Sequence, residues 1–148
     1  QLMRDAGQVP VLLKKEIAGF VMNRLQAGVI CEAMSLVADG VIEPDDLDAV
    51  MRHSLGLRWS FMGPFETMDL NAPSGFLDYA QRYGGPLRGL GRDLKVAADW
   101  PPAALQRIEA ERRKRVAKSA LVGRGAWRDR RLMALAAHKK QMDSKEGE

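Results

Sequence analysis

Few side chains in this 148-residue chain join a reactive type to a useful spacing. The first candidates are Asn23 and Arg24, near the start of the stretch "GFVMNRLQAGVICEAMSLVADG", residues 19–40. An asparagine amide offers two N–H donors and one acceptor, with no proton equilibrium to manage. Near a helix N-terminus, those donors and the helix dipole would polarise a substrate oxygen on which negative charge grows during reaction. The alternative is that Asn23 caps backbone or packs on a neighbouring helix while Arg24 pairs with a carboxylate such as Asp46. Arg58 poses a similar choice. It stands among Leu57, Trp59, Phe61 and Met62 in "LGLRWSFMGPFE". A guanidinium in apolar surroundings needs an anion, either a carboxylate side chain or a ligand carboxylate held bidentately.

The remaining reactive types do not assemble. His53 and His138 are far apart in sequence, neither lies in an HExxH pattern, and Cys31 has no CxxC partner, so no metal site is expected. His53 suits the C-terminal end of a helix, where its partial positive charge meets the dipole. The glycines of "RYGGPLRGLG" follow no β-strand and fail the context test for a dinucleotide or phosphate loop. The carboxylates cluster at helix starts, as caps and dipole partners rather than as an acid–base pair. The chain by itself carries no convincing general base or nucleophile.

The elements that must position Asn23 and Arg58 are helical. Phe20 to Asp39 reads as one helix, apolar on more than one face and therefore enclosed by neighbours, with Gly40 as its C′ residue. "IEPDDLDAVMRHSLG" gives a second helix. Pro44, Asp45 and Asp46 suit its first turn, and Leu47, Val50 and Met51 form a buried stripe. "LGLRWSFMG" reads as a loop and "PFETMDL" as a short helix. "SGFLDYAQRYGG" reads as a helix stopped by Gly84-Gly85, and "LRGLGRDLKVAADW" as partly helical. Two further helices are expected, from about Ala103 to Ala120 and from Ala126 to Met142. Ahead of all these, Val9 to Leu13 is an extended, β-prone run in which Pro10 disfavours helix. The expected fold class is an all-α helical bundle around one long enclosed helix.

Composition sets the remaining bounds. The content of 46% hydrophobic and 28% charged residues is that of an ordinary globular domain. A single cysteine excludes an internal disulfide and suits a reducing cytoplasm. No apolar run approaches the roughly 20 residues of a membrane span, and no signal-peptide h-region is present. The opening on Gln1 rather than Met leads us to expect a longer parent chain. The net charge of +4 hides an asymmetry: residues 1–99 hold 10 Lys/Arg against 13 Asp/Glu, and residues 100–148 hold 13 against 6. A basic tail of this kind can bind nucleic acid through "RIEAERRKR" and "WRDRRLMALAAHKK". Without aromatic residues interleaved for stacking, it reads instead as a solvated helix face, and no nucleic-acid or membrane partner is expected.

Beyond these residue-level readings, the sequence resembles the C-terminal domain of the 3-hydroxyacyl-CoA dehydrogenase family. "GFVMNRLQAGVICEAMSLVADG" is similar to that family's first C-terminal helix, with its G-F-x-x-N-R core. "EPDDLDAVMRHSLGLRWSFMGPFETMDL" is similar to the helix leading into the family's G-P-F/L-E motif, here Gly63 to Glu66. The stretch "LGLRWSFMGPFETMDLNAP" and the terminal "AWRDRRLMALAAHKKQ" resemble the branch containing lambda-crystallin and L-gulonate 3-dehydrogenase.

The resemblance implies a two-domain NAD-dependent oxidoreductase whose Rossmann domain, with its glycine fingerprint and catalytic His–Glu pair, is not in these residues. Residues 1–18 would be a linker and exit strand from that domain, residues 19–142 the helical domain, and residues 143–148 a disordered tail. Asn23 matches the family's catalytic asparagine. Arg58 matches an arginine of the gulonate-like branch and would clamp the carboxylate of a small hydroxy acid such as L-gulonate or 3-hydroxybutyrate; whether the substrate is instead a hydroxyacyl-CoA of fatty acid metabolism is left open. A cytoplasmic homodimer is implied, inactive as the isolated chain. A structural, crystallin-like dimerisation domain without chemistry is the alternative.

Overall fold

The computed structural model describes residues 2–95 and 99–146. Its helices, in chain order, are α1 (Leu2–Asp5), α2 (Phe20–Ala38), α3 (Pro44–His53), α4 (Leu55–Arg58), α5 (Pro64–Leu70), α6 (Phe76–Asp93), α7 (Pro102–Arg115) and α8 (Leu121–Glu146). A 3-10 turn, Lys118–Ala120, precedes α8. No strand occurs among the described residues, so the fold is all-α.

The ends of the helices follow local chemistry. At the close of α2, Gly40 is left-handed (φ 72°), and its N–H donates to the Val37 carbonyl. The next N–H, of Val41, donates to the Leu36 carbonyl at 2.9 Å, which completes a Schellman ending. Helix α3 opens on Pro44 with Asp45 and Asp46 in its first turn and closes with Arg52 and His53 in its last, in line with the dipole. Helix α6 borrows its cap from α5: the Phe76 N–H donates to Asp69 Oδ1 at 2.8 Å. Among α6's neighbours is the edge-to-face contact of Phe76 with Phe65, at 6.1 Å between ring centres.

Helix α7 joins the body together, packing on both α2 and α3. The buried side chains are Val37 at 3% exposure, Ala104 at 7%, and Pro44, one from each of these three helices. Around them the contacts are polar. An Arg107 guanidinium N–H donates to the Val37 carbonyl, and the Lys95 backbone N–H donates to Glu32 Oε2 at 3.1 Å. Asp45 receives Arg112 at 2.8 Å and Arg115 at 2.6 Å, clasping α3 to α7.

Several sequence expectations change. The long α2 is enclosed only over its C-terminal half, where α7 packs on it, while Phe20, Val21, Met22 and Leu25 are exposed among the described residues. The Val9–Leu13 run, expected as an exit strand or linker, carries no ladder among the described residues and is coil, as either reading allows, with Val9 and Leu12 open to solvent. A short helix, α1, lies ahead of it. The presumed loop "LGLRWSFMG" contains α4. Gly84-Gly85 do not stop α6, which passes through them and Pro86 to Asp93. A proline removes one i→i−4 bond and crowds the carbonyl four residues before it, and the turns on either side carry the helix across it. The helix expected to Ala120 ends at Arg115, where Val116 turns to extended backbone, and the last helix starts at Leu121 rather than Ala126. Helical backbone continues through Glu146, over the start of the expected tail. Residues 147–148, and 96–98 of the "LRGLGRDLKVAADW" stretch, lie outside the described residues.

Two predictions follow from these contacts. A Cβ at Gly56 would meet the Met51 carbonyl oxygen at 2.8 Å, whereas one at Gly89, inside α6, would meet nothing within 4 Å. Gly56→Ala should therefore destabilise by about 1–3 kcal/mol and Gly89→Ala stabilise by about 0.5–1 kcal/mol in denaturant melts. Equal effects would show that the α3–α4 corner is loose.

The second prediction concerns Asp45, whose carboxyl is held below its ordinary 3.8 first by the Arg115 hydrogen bond; desolvation opposes this, and the charges of Arg115 and Arg112 with the Arg112 hydrogen bond keep the net shift downward. A depressed folded pKa means that this stabilisation is complete above the unfolded value of about 3.9 and is lost as pH falls through the folded one. The stability gap between the native chain and Asp45→Asn should be widest near neutral pH and close below about pH 4. A gap that does not vary with pH would refute the clasp.

Candidate functional site

The approach to Asn23 is set by two successive left-handed residues. Gly19 has φ 78° and Phe20 has φ 51°, the latter uncommon for a residue with a bulky side chain. Together they turn the incoming coil sharply into α2, of which Asn23 is the fourth residue. Sequence reasoning missed the strain at Phe20. The adjacent glycine was its one visible signal.

Asn23 is exposed and makes no side-chain hydrogen bond among the described residues; the N-cap of α2 is Gly19, and no side chain caps it. The capping alternative for Asn23 therefore does not hold. Arg24 is also exposed and forms no ion pair with Asp46 or any other described carboxylate. Arg58 ends α4 as an exposed cation with no acidic partner among the described residues, and only its backbone is engaged, its N–H donating to the Ser54 carbonyl and its carbonyl accepting from Phe61 and Met62. Of the two anions Arg58 could take, no carboxylate side chain among the described residues is supplied. Around it Trp59, Phe61 and Phe65 are uncovered.

The structure does not join Asn23 and Arg58 by any contact. They stand on different elements, α2 packing on α7 and α4 on α3. What α2 does provide is a line. Asn23, Ile30, Met34 and Val37 recur at i, i+7, i+11 and i+14, so they share one stripe of the helix. Ile30, Met34 and Val37, with Leu47, Met51 and Ile108, line an apolar groove of ≈ 320 Å³ between α2, α3 and α7. Asn23 thus stands at the open end of a stripe whose other end is the core.

A second, wider cleft of ≈ 1010 Å³ separates α3 and α7 from the first turns of α8. It is mixed in charge, and its arginines are largely committed. Arg112 pairs with Asp45 and Asp48, Arg115 with Asp45, and Arg128 with Asp129. Arg124 lies over the Trp127 ring, 3.4 Å from its centre. On α7 the whole basic run of the expected solvated face is paired, since Arg113 meets Glu109 and Lys114 meets Glu111. Cys31 is half-buried in α2 and unpaired. Among the described residues no group of three or more His, Cys, Asp or Glu could hold a metal, and no helix is long and apolar enough to cross a membrane.

The comparison with known proteins matches this architecture. Residues 19–119 match the family described as 3-hydroxyacyl-CoA dehydrogenase, C-terminal domain. The chain belongs to that family. Over 143 residues it is 45% identical to the lambda-crystallin homolog of Bos taurus, covering 95% of this chain and 44% of that protein. Over 151 residues it is 37% identical to a 3-hydroxyacyl-CoA dehydrogenase of Gibberella moniliformis, covering 95% of this chain and 45% of that protein. Over 85 residues it is 38% identical to the L-carnitine dehydrogenase of Pseudomonas sp, covering 57% of this chain and 26% of that protein. The chain thus spans less than half the length of these relatives, and the part it matches is the family's C-terminal domain.

A dinucleotide cofactor does not fit the described residues. The glycine-rich segment from Gly84 to Gly91 is helical backbone inside α6, so its N–H groups are not free to cradle a pyrophosphate.

Because neither Asn23 nor Arg58 holds the fold, Asn23→Ala and Arg58→Met should each leave unfolding free energy within about 0.5 kcal/mol of the native chain. A larger loss in chemical denaturation would show that these side chains are structural.

Proposed function

We propose that this chain is the substrate-facing and dimerising domain of an NAD-dependent dehydrogenase acting on a small 3-hydroxy acid such as L-gulonate. The observation that carries this is the state of Asn23: an amide with all its donors free, held at a strained helix entrance in a family of oxidoreductases. In the complete enzyme that amide donates to the substrate's reacting oxygen. Its bond strengthens as charge builds there, which lowers the barrier more than it strengthens ground-state binding. Arg58, a cation without an acidic partner in an apolar setting, takes the substrate carboxylate. NAD and the general base belong to the segment that precedes residues 1–18, and that segment covers the exposed coil and the Asn23 side of α2. The uncovered apolar surface elsewhere on the domain supports a homodimer. A hydroxyacyl-CoA is the alternative substrate, and it would leave Arg58 without a role.

In the complete enzyme, Asn23→Ala should lower kcat by about 10²–10³-fold with a smaller change in KM. Arg58→Met should raise KM for a carboxylate substrate by about 10- to 100-fold, the worth of a charged hydrogen-bonded pair. Steady-state kinetics with L-gulonate and 3-hydroxybutyrate separate the two roles. Unchanged kinetics in Arg58→Met would remove the carboxylate clamp, and unchanged kcat in Asn23→Ala would remove the catalytic reading.

A further inference from the structure

The wider cleft between α3, α7 and α8 holds more positive charge than its ion pairs use. Five arginines and three aspartates line it. Arg112 and Arg115 answer Asp45 and Asp48, and Arg128 turns to Asp129. What remains is Arg52 on the α3 side and Arg124 on the α8 side, neither in an ion pair with a described carboxylate. Against them stands the single charge of Asp46, which lies in the field of Arg115. Both arginines are exposed, and an unpaired arginine is ordinary on a surface. These two, however, are also held. Arg52 donates through Nε to the Asp48 carbonyl at 3.2 Å, which leaves its two terminal nitrogens free. Arg124 lies on the Trp127 ring, 3.4 Å from its centre, which leaves the N–H fork in the guanidinium plane free. A side chain already fixed loses less entropy on taking up an anion than one free to rotate.

We propose that this cleft is a binding site for a phosphate monoester of about nucleoside-monophosphate size, whose phosphoryl oxygens accept from Arg52 and Arg124 at once. Two guanidinium forks match a group with a charge of about −1.5 to −2 and three acceptor oxygens, which a phosphate monoester has at neutral pH and a monocarboxylate does not. The volume of ≈ 1010 Å³ is far more than a bare anion fills and stands at the upper end of small-molecule pockets, about 300–1,000 Å³. Val116, Leu121 and Trp127 supply apolar wall for the rest of the molecule. Neither Asn23 nor Arg58 lines the cleft, so the site stands apart from the proposed reaction. Occupancy also ties α8 to α3. Helix α8 is 26 residues long and packs within the chain mainly on the 3-10 turn before it, so an anion shared by Arg52 and Arg124 adds a link across the cleft.

The test is isothermal titration calorimetry on the full chain with AMP, adenosine and inorganic phosphate, in about 0.1 M salt to screen distant charges. The variants are Arg52→Gln and Arg124→Gln in the cleft and Arg130→Gln, an exposed α8 arginine outside the lining that reports general basic attraction. All three positions are exposed, so the variants should fold, and circular dichroism checks that they do. The native chain should bind AMP more tightly than inorganic phosphate, and adenosine not measurably. Each cleft variant should weaken AMP binding by about 10- to 100-fold, the worth of a hydrogen bond to a charged group, and Arg130→Gln by less than about 2-fold. No AMP binding by the native chain, equal weakening by all three variants, or native affinity in either cleft variant would overturn the site. Adenosine bound as tightly as AMP would show that the cleft reads the base. Inorganic phosphate bound as tightly as AMP would show that the organic group finds no wall. Either result would overturn the assignment to a phosphate monoester.

Discussion

The organisation of this domain depends on one imbalance: α2 carries apolar residues around most of its circumference, and the chain has partners for only part of its length. Toward its C-terminal end, α3 and α7 close over Val37, and Pro44 and Ala104 complete a small dry centre. Toward its N-terminal end Phe20, Val21, Met22 and Leu25 are left exposed among the described residues. Burying apolar area is the main favourable term in folding, so the dry centre at the C-terminal end of α2 is where this domain gains its stability. The core fixes the direction of α2 and leaves its N-terminal half open among the described residues.

Electrostatics settles how the small core is locked. With few side chains buried, orientation between α3 and α7 falls to Asp45, which holds two arginines of α7 at once, while Arg107 ties α7 to the end of α2. These groups are largely exposed, so each pair adds little energy by itself. Their geometry still selects one packing of α7 over its neighbours. The same pairs decide the meaning of the basic C-terminal half. On α7 its charge is internal to the domain, and the outward-facing excess belongs to α8.

At the candidate site, strain and freedom sit side by side. Gly19 and Phe20 hold a conformation that costs energy, which structures retain where it fixes something of use. Here it fixes the angle at which the chain enters α2, and thereby the position of Asn23 one turn later. Asn23, Arg24 and Arg58 all have unengaged polar groups facing solvent. The chain that carries them matches the 3-hydroxyacyl-CoA dehydrogenase C-terminal domain family and spans less than half of its relatives.

The helix signals of the sequence were legible because they are local. Gly40 after an apolar run, Pro44 with two following aspartates, and Pro64 after Gly63 each act within one turn of backbone, and the structure has a helix end at each. The residues of the candidate site were named by the G-F-x-x-N-R pattern and by Arg58 among aromatics, both short-range features. Where local signals compete with their surroundings the sequence misled. Gly84-Gly85 and Pro86 are weak stops, and α6 continues through them. The apolar run of α2 shows that its faces need covers but does not say whose. Which acid holds Arg112 and Arg115, where Phe20 is strained, and that half of α2 stays open all depend on groups distant in sequence being brought together, or not, in space. Those outcomes were decided by the tertiary structure alone, since a pairing across 67 or 70 residues leaves no trace in the local pattern of either partner.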